Sequence, residues 1–339
     1  MKRNYKNILI IRFSSLGDVL LTTPVAESLK WVFPEAKLYF LTKEKYAPLF
    51  KNNRDIDKLF LLKGEGISDF MTLLKIIKKN DIDLIIDLHR SLRSTILRYF
   101  FMGTDSYNVD KKSIERRMLV WFKKNLLPQN YHVTRAYIET IKPLMSINGI
   151  LKPKIFLDDG EMDWADKFLK EEAGTDSIVS FSPGARWNTK RWPEEEFASL
   201  GNLIHMYSDY SVVLLGDSQD QPVTGKISGF MKRRPVDMAG RLSIREAAAV
   251  VKKSRLLVTN DSGLMHVAVS VGTPVIAFFG PTVKDFGFYP LGEKDAIFEI
   301  ALKCRPCSLH GDNICPKGHH RCMKDINAPA VLEKVLKFL

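Results

Sequence analysis

Short aliphatic runs alternate with longer stretches of helical periodicity along most of the chain. In the first half, residues 8–13, 37–41, 58–62 and 83–88 are brief and almost continuously apolar, the pattern of parallel strands covered on both faces. Helical patterns lie between them near residues 19–32, 68–79 and 91–101. This repetition predicts right-handed crossovers and a doubly wound α/β sheet. A basic, less regular segment follows at 107–127, and a helix over 133–148 closes this part. Residues 149–159, with Pro153 and Asp158-Asp159, read as a connection. The alternation then restarts, with strands expected at 177–182, 211–215, 255–259 and 274–279 and helices near 194–207, 244–252 and 264–271. Residues 328–339 place Val331, Leu332, Val335, Leu336 and Leu339 at helical spacing.

At 339 residues the chain exceeds one ordinary core, which agrees with two domains joined by a linker. Two doubly wound domains would turn the carboxyl ends of their strands toward an interdomain cleft. The expected division is 1–155, 156–326 and a C-terminal helix at 327–339 that packs back on the first domain. Hydrophobic residues (45%) and charged residues (27%) stand at the levels of a soluble globular protein. No apolar run approaches the length of a membrane span. The apolar stretch Ile8-Leu9-Ile10-Ile11 is cut by Arg12 and no small-residue cleavage site follows, so it reads as a first strand rather than a leader. A cytoplasmic protein is the expectation.

The charge is unevenly spread. Residues 1–159 hold 28 Lys and Arg against 17 Asp and Glu, whereas 160–339 hold 23 against 22. The excess of the first half suits an anionic partner: nucleic acid, an anionic membrane surface or a phosphorylated acceptor. A basic surface kept for solubility is the plainer reading. No recognition helix, aromatic RNP-like strand or lysine-rich tail supports a nucleic-acid binder.

Three strand-to-helix turns carry candidate chemistry. In Arg12-Phe13-Ser14-Ser15-Leu16-Gly17-Asp18-Val19 a strand runs into a small polar loop and then a helix. It matches neither G-x-G-x-x-G nor the P-loop, so the usual phosphate cradle is absent. Asp18 is either a helix N-cap or an acceptor for the proton of an incoming hydroxyl. In Leu256-Leu257-Val258-Thr259-Asn260-Asp261-Ser262-Gly263-Leu264-Met265-His266 a buried strand leads into a helix start. There the amides of Ser262, Gly263 and Leu264 would be free for an anion, and Gly263 permits close approach. His266 either packs in the core or bonds a phosphate. The loop Ser182-Pro183-Gly184-Ala185-Arg186-Trp187-Asn188-Thr189-Lys190-Arg191-Trp192-Pro193 is cationic, and Lys190 or Arg191 could balance phosphate charge where other enzymes place Mg²⁺. A solvated basic loop is the alternative.

All four cysteines fall within Cys304-x2-Cys307-x7-Cys315-x6-Cys322, interspersed with His310, His319 and His320. Four thiolates, or three with a histidine, could hold one structural Zn²⁺. Free thiols packing a loop are the other reading, since a reducing compartment disfavours disulfides.

Taken together these segments resemble the family 9 glycosyltransferases, the ADP-heptose:lipopolysaccharide heptosyltransferases, and most nearly the heptosyltransferase II branch. The resemblance runs in order through Ser14-Ser15-Leu16-Gly17-Asp18-Val19, Lys190-Arg191-Trp192-Pro193, Asn260-Asp261-Ser262-Gly263-Leu264-Met265-His266, Phe279-Gly280-Pro281-Thr282 and the tail at 304–322. It implies a GT-B architecture of two Rossmann-like domains, acceptor on the first and nucleotide-sugar on the second. It also implies an inverting displacement that needs no metal cofactor. By the same resemblance Asp18 is the base, and Lys190, Arg191, Asp261, Ser262, Gly263, Leu264 and His266 hold the donor. Ser15, Gly17, Arg93 and Arg135 would serve the acceptor, a lipid-linked anionic glycan with a Kdo-containing inner core. The implied donor is ADP-heptose, and the implied place of work is the cytoplasmic face of the inner membrane, with peripheral contact and no nucleic acid. Leu215-Gly216-Asp217-Ser218-Gln219-Asp220 departs from the acidic pattern of the heptosyltransferase I branch. A family member moving another sugar onto another envelope glycan is therefore the neighbouring alternative.

Overall fold

The computed structural model describes residues 4–64, 66–145 and 152–339. Contacts divide the chain into two compact units, Met1–Lys111 with His132–Phe156, and Lys112–Tyr131 with Leu157–Leu339. The first unit carries β1 (Asn7–Ile11), β2 (Lys37–Lys43), β3 (Lys58–Leu62), β4 (Leu84–Asp87) and β5 (Asp105–Asn108). These pair in parallel in the order β3-β2-β1-β4-β5. The second unit carries β6 (Ile178–Ser182), β7 (Ser211–Leu214), β8 (Val236–Asp237), β9 (Leu257–Asn260), β10 (Val275–Phe278) and β11 (Ala296–Phe298). Its order is β11-β10-β9-β6-β7-β8, again all parallel.

Both orders reverse direction beside the first strand of their unit. The crevice at the carboxyl ends therefore opens between β1 and β4 in one sheet and between β6 and β9 in the other. Central strands β1, β4, β6, β9 and β10 are buried almost throughout, which is why the sequence shows them as apolar runs without alternation.

The elements that the apolar pattern missed have local explanations. Edge strand β5 reads Asp-Ser-Tyr-Asn and offers no apolar run. The segment expected to be irregular also holds a helix, Ser113–Phe122, and its contacts join it to the second unit. A helix at Asp159–Glu172 begins inside the expected connection. Its capping box was legible: Asp158 Oδ1 accepts from Glu161 N at 2.9 Å, and Glu161 Oε2 accepts from Asp158 N at 3.0 Å. The helix expected over 133–148 spans Val133–Thr140, and residues 146–151 of that helix and of the connection lie outside the described residues.

The C-terminal helix, Ala328–Val335, corrects the expectation that it would return to the first domain. Val331, Leu332, Val335 and Phe338 enter the second unit's own core beside Trp192, Phe197 and Phe278. Trp192 Nε1 donates to Ile326 O at 2.9 Å, and Ala328 N donates to Glu196 Oε2 at 2.7 Å, which fixes the approach of the helix. The apolar face of the Glu194–Tyr207 helix was free to receive it. Periodicity shows that a helix has an apolar face, and cannot say which core takes it.

Candidate functional site

In the first unit the loop after β1 enters the helix Leu16–Leu20 with Ser15 at its N-cap, so Asp18 is the third helical residue rather than the cap itself. Asp18 Oδ2 accepts from Ser15 Oγ at 2.7 Å and Ser15 N at 3.3 Å, the reciprocal bond of a capping box. Its Oδ1 lies 2.6 Å from Arg12 Nη2 and accepts from Tyr137 Oη at 3.2 Å. Arg12 is buried and also donates to the carbonyls of Ser14 and Leu88, so its guanidinium is held in place. Burial opposes charge on Arg12, but Tyr137, Asp18 and Asp87 outweigh it and raise its pKa.

The loop after β4 borders this cluster. Asp87 is fully buried; its Oδ1 accepts the amides of His89 and Arg90 at 2.9 and 2.7 Å, and its Oδ2 lies 3.3 Å from Arg98 Nε. The His89 ring meets the Phe13 ring edge-on at 5.1 Å. Burial first, then the positive charges of Arg12 and Lys111, push its pKa down to about 4, so it is neutral near pH 7. Sequence reasoning treated Arg12 only as an interruption of an apolar run, and overlooked His89 and Tyr137. The signal for Arg12 was available: a strongly polar residue at the carboxyl end of a central strand. Tyr137 had none, because its helix is remote in sequence. Of the other acceptor candidates, Gly17 is buried in the Leu16–Leu20 helix and Arg93 is half-buried at the start of the Leu92–Phe100 helix. Arg135 is exposed on the Val133–Thr140 helix.

In the second unit the loops after β6 and β9 meet at the crevice. Lys190 Nζ lies 2.6 Å from Asp261 Oδ2, which also accepts from Thr282 Oγ1 at 2.8 Å. The turns are laced together by buried Asn260, which donates to Pro183 O at 2.7 Å and accepts from Trp192 N at 3.0 Å. Gly263 opens the helix Gly263–Val271 with Ser262 at its N-cap. The Ser262 hydroxyl lies 3.2 Å from Thr259 Oγ1 and makes no capping bond, so it does not satisfy the first helical amides. An ammonium group fixed beside such a helix start suits a phosphate. Leu264 is half-buried, and His266 is buried with its ring 6.5 Å from that of Phe288. Arg191 donates through Nε to Ala185 O at 3.0 Å and braces its own loop. After β7, Asp220 packs so close to Gly184 that a Cβ there would lie 2.2 Å from its carboxylate. Burial raises the Asp220 pKa, aided by Asp217 and opposed by the Asp217 amide and Arg191.

The cysteine-rich tail turns out to be the frame of this site. Thr189, beside Lys190, exchanges bonds with Asp312: its amide and hydroxyl donate to Asp312 O at 3.0 and 2.7 Å, and Asp312 N donates to Thr189 Oγ1 at 2.8 Å. His320 Nε2 lies 2.8 Å from Thr189 O. Arg305 donates to the carbonyls of Phe279 and Thr282 at 2.9 and 3.0 Å and pairs with Glu299, so it holds the turn that carries Thr282. Cys307 N donates to Pro281 O at 2.9 Å. Cys307 Sγ donates to Cys304 O at 3.2 Å, and Cys304 Sγ lies 3.8 Å from His319 Nε2. Among the described residues no group of three or more His, Cys, Asp or Glu has the geometry to hold a metal. Burial first, aided by neighbouring thiols, pushes Cys307 and Cys322 up to about 11, against the opposing charges of Lys123 and Arg305 respectively.

The chain resembles known proteins over most of its length. The family model described as glycosyltransferase family 9 (heptosyltransferase) matches residues 70–316. Lipooligosaccharide heptosyltransferase 2 of Haemophilus influenzae is 28% identical, covering 98% of this chain and 99% of its own. Lipopolysaccharide heptosyltransferase 2 of Salmonella typhimurium is 24% identical over 98% of each chain. Among solved structures, a family 9 glycosyl transferase from Veillonella parvula superposes with a TM-score of 0.84 at 23% identity, over 100% of this chain and 98% of that one. The ADP-heptose heptosyltransferase II of E. coli gives 0.78 at 21% identity over 98% of each. These likenesses give the GT-B fold class.

Proposed function

The chain belongs to glycosyltransferase family 9, and we propose that it transfers heptose from ADP-heptose to the inner core of lipopolysaccharide by an inverting displacement that needs no metal. The observation that carries the donor half of this reading is the Lys190–Asp261–Thr282 cluster beside the Gly263 helix start, at the crevice between β6 and β9. Relatives spanning nearly the whole chain are heptosyltransferases by name, which supports the choice of sugar.

In the proposed reaction the acceptor hydroxyl oxygen bonds to the anomeric carbon of heptose as the bond from that carbon to the diphosphate breaks. The hydroxyl proton passes to Asp18, and ADP departs with the bonding pair. Asp18 can act this way because Arg12, Ser15 and Tyr137 hold its carboxylate in one orientation. Negative charge builds on the departing diphosphate, where Lys190 and the amides of the helix start would stabilise it. Asp261 serves to position Lys190. Arg93 and Arg135 would meet carboxylates and phosphates of a lipid-linked acceptor. Among the described residues no helix is long and apolar enough to cross a membrane. Work at the cytoplasmic face of the inner membrane would then rest on peripheral contact.

The deciding experiment offers the purified protein a panel of nucleotide-sugars with inner-core acceptor and measures nucleotide release. ADP release with ADP-heptose, dependent on acceptor, is the expected result. Turnover with another nucleotide-sugar and none with ADP-heptose would keep the family and discard the sugar.

A further inference from the structure

The Ser113–Phe122 helix turns part of its apolar surface outward. Ile114, Arg117, Met118, Trp121 and Phe122 stand at i, i+3, i+4, i+7 and i+8, a stripe that normally faces inward. Here Ile114, Trp121 and Phe122 are 72%, 68% and 67% exposed, with Arg117 and Lys124 exposed among them. Leu126 extends the patch beyond the helix end.

The helix is nevertheless firmly attached by its other face. Arg116 donates to Tyr131 Oη at 3.2 Å and Phe286 O at 3.1 Å, with its guanidinium over the rings of Tyr131 and Phe288. Leu119 is buried, and Lys123 Nζ donates to Val120 O, Cys304 O and Pro306 O at 2.8, 3.0 and 2.6 Å. Asn125 Nδ2 donates to Asp285 Oδ1 at 2.8 Å. The outward stripe thus stands on a fixed element.

We propose that this face docks the protein on an anionic lipid bilayer. Trp121 and Phe122 would sit at the boundary of headgroups and acyl chains, and Arg117 and Lys124 would face headgroup phosphates. Aromatic residues framed by basic ones are the composition of an interfacial helix, and indole and phenyl rings favour that boundary. Charge complementarity favours lipid over a protein partner. Lys112, Arg117, Lys123 and Lys124 lie on or flank this helix in sequence, while Glu115 lies 3.7 Å from Lys112 and Asp285 is held by Asn125. The inference rests on the proposed function only in its motive: an enzyme with a lipid-anchored acceptor has reason to visit the bilayer.

The test is co-sedimentation of the full chain with phosphatidylcholine vesicles, with and without phosphatidylglycerol. Binding should require phosphatidylglycerol and weaken in high salt. Trp121→Glu with Phe122→Glu should lower vesicle binding about tenfold or more, and so should Arg117→Glu with Lys124→Glu. Both variants should bind ADP as the parent does. If neither variant changes binding, or if vesicles without phosphatidylglycerol bind equally well, the proposal is overturned. A dimer that Trp121→Glu dissociates would also overturn it in favour of a second copy. Absence of heptosyl transfer with any acceptor, while vesicle binding persists and depends on these residues, would sink the functional reading and leave the docking face standing.

Discussion

Replacing Lys190 by alanine removes one partner of a largely buried ion pair. The Lys190 and Asp261 side chains retain only 15% and 11% of their accessible surface, so water replaces the lost ammonium poorly. Asp261 would keep the Thr282 hydroxyl at 2.8 Å but lose the ammonium that faces it. A hydrogen bond to a charged group contributes about 1.5–3 kcal/mol. The proposed donor diphosphate would lose that bond and would also meet an uncompensated carboxylate. ADP affinity should therefore fall by about 2 kcal/mol, roughly thirtyfold in Kd. Adding Asp261→Asn to the Lys190→Ala background removes the stranded charge and should recover about tenfold of the loss, the signature of coupled neighbours. Isothermal titration of ADP into parent, both single variants and the double variant completes the cycle. If Lys190→Ala binds ADP within about threefold of the parent, the cluster is a structural ion pair and the donor site lies elsewhere.

Asp18→Asn keeps the shape of the capping box but cannot accept a proton; turnover should drop by about 10²-fold or more while ADP affinity stays within about threefold, and near-parental turnover would remove Asp18 from the chemistry. Tyr137→Phe deletes one of the bonds to Asp18 and should cost about 1 kcal/mol, read as a modest drop in turnover with unchanged ADP affinity. His89 is neutral in the folded protein down to about pH 4 and near 6.5 when unfolded, so the unfolded state binds more protons between those values. Stability is accordingly complete above pH 6.5 and declines toward pH 4, by about 1–2 kcal/mol once partial exposure is allowed for; urea midpoints of His89→Asn should lack that slope. Dialysis against a chelator should change neither turnover nor the thermal midpoint, whereas release of one zinc per chain with a falling midpoint would establish the metal reading of the four cysteines.

The candidate site was legible where chemistry and position coincide on one short stretch. Asp18, Lys190 and Asp261 each follow a buried strand, and a doubly wound sheet binds at that end, so their candidacy needed only the chain order. Tyr137 lies 119 positions from Asp18 and Thr282 lies 21 from Asp261, and neither carries a local mark of its partner. The cysteine-rich tail shows the opposite case. Their spacing suggests a metal, and the Arg305, Thr189 and Asp312 bonds that tie this tail to the donor turns are anticipated by no spacing rule.

The sequence by itself determined the α/β class and most of the strands, because burial on both faces leaves an unbroken apolar run and burial depends on local composition. It also determined which turns carry polar and cationic groups. Strand order was decided only in the tertiary structure, and strand order sets β6 beside β9 and so brings Lys190 to 2.6 Å from Asp261. The destinations of the two surface helices were decided there as well. Ser113–Phe122 and Ala328–Val335 have similar amphipathic patterns; one buries its stripe in the second core and the other turns it outward. Periodicity records that a helix has two faces, and only the rest of the fold decides what each face meets.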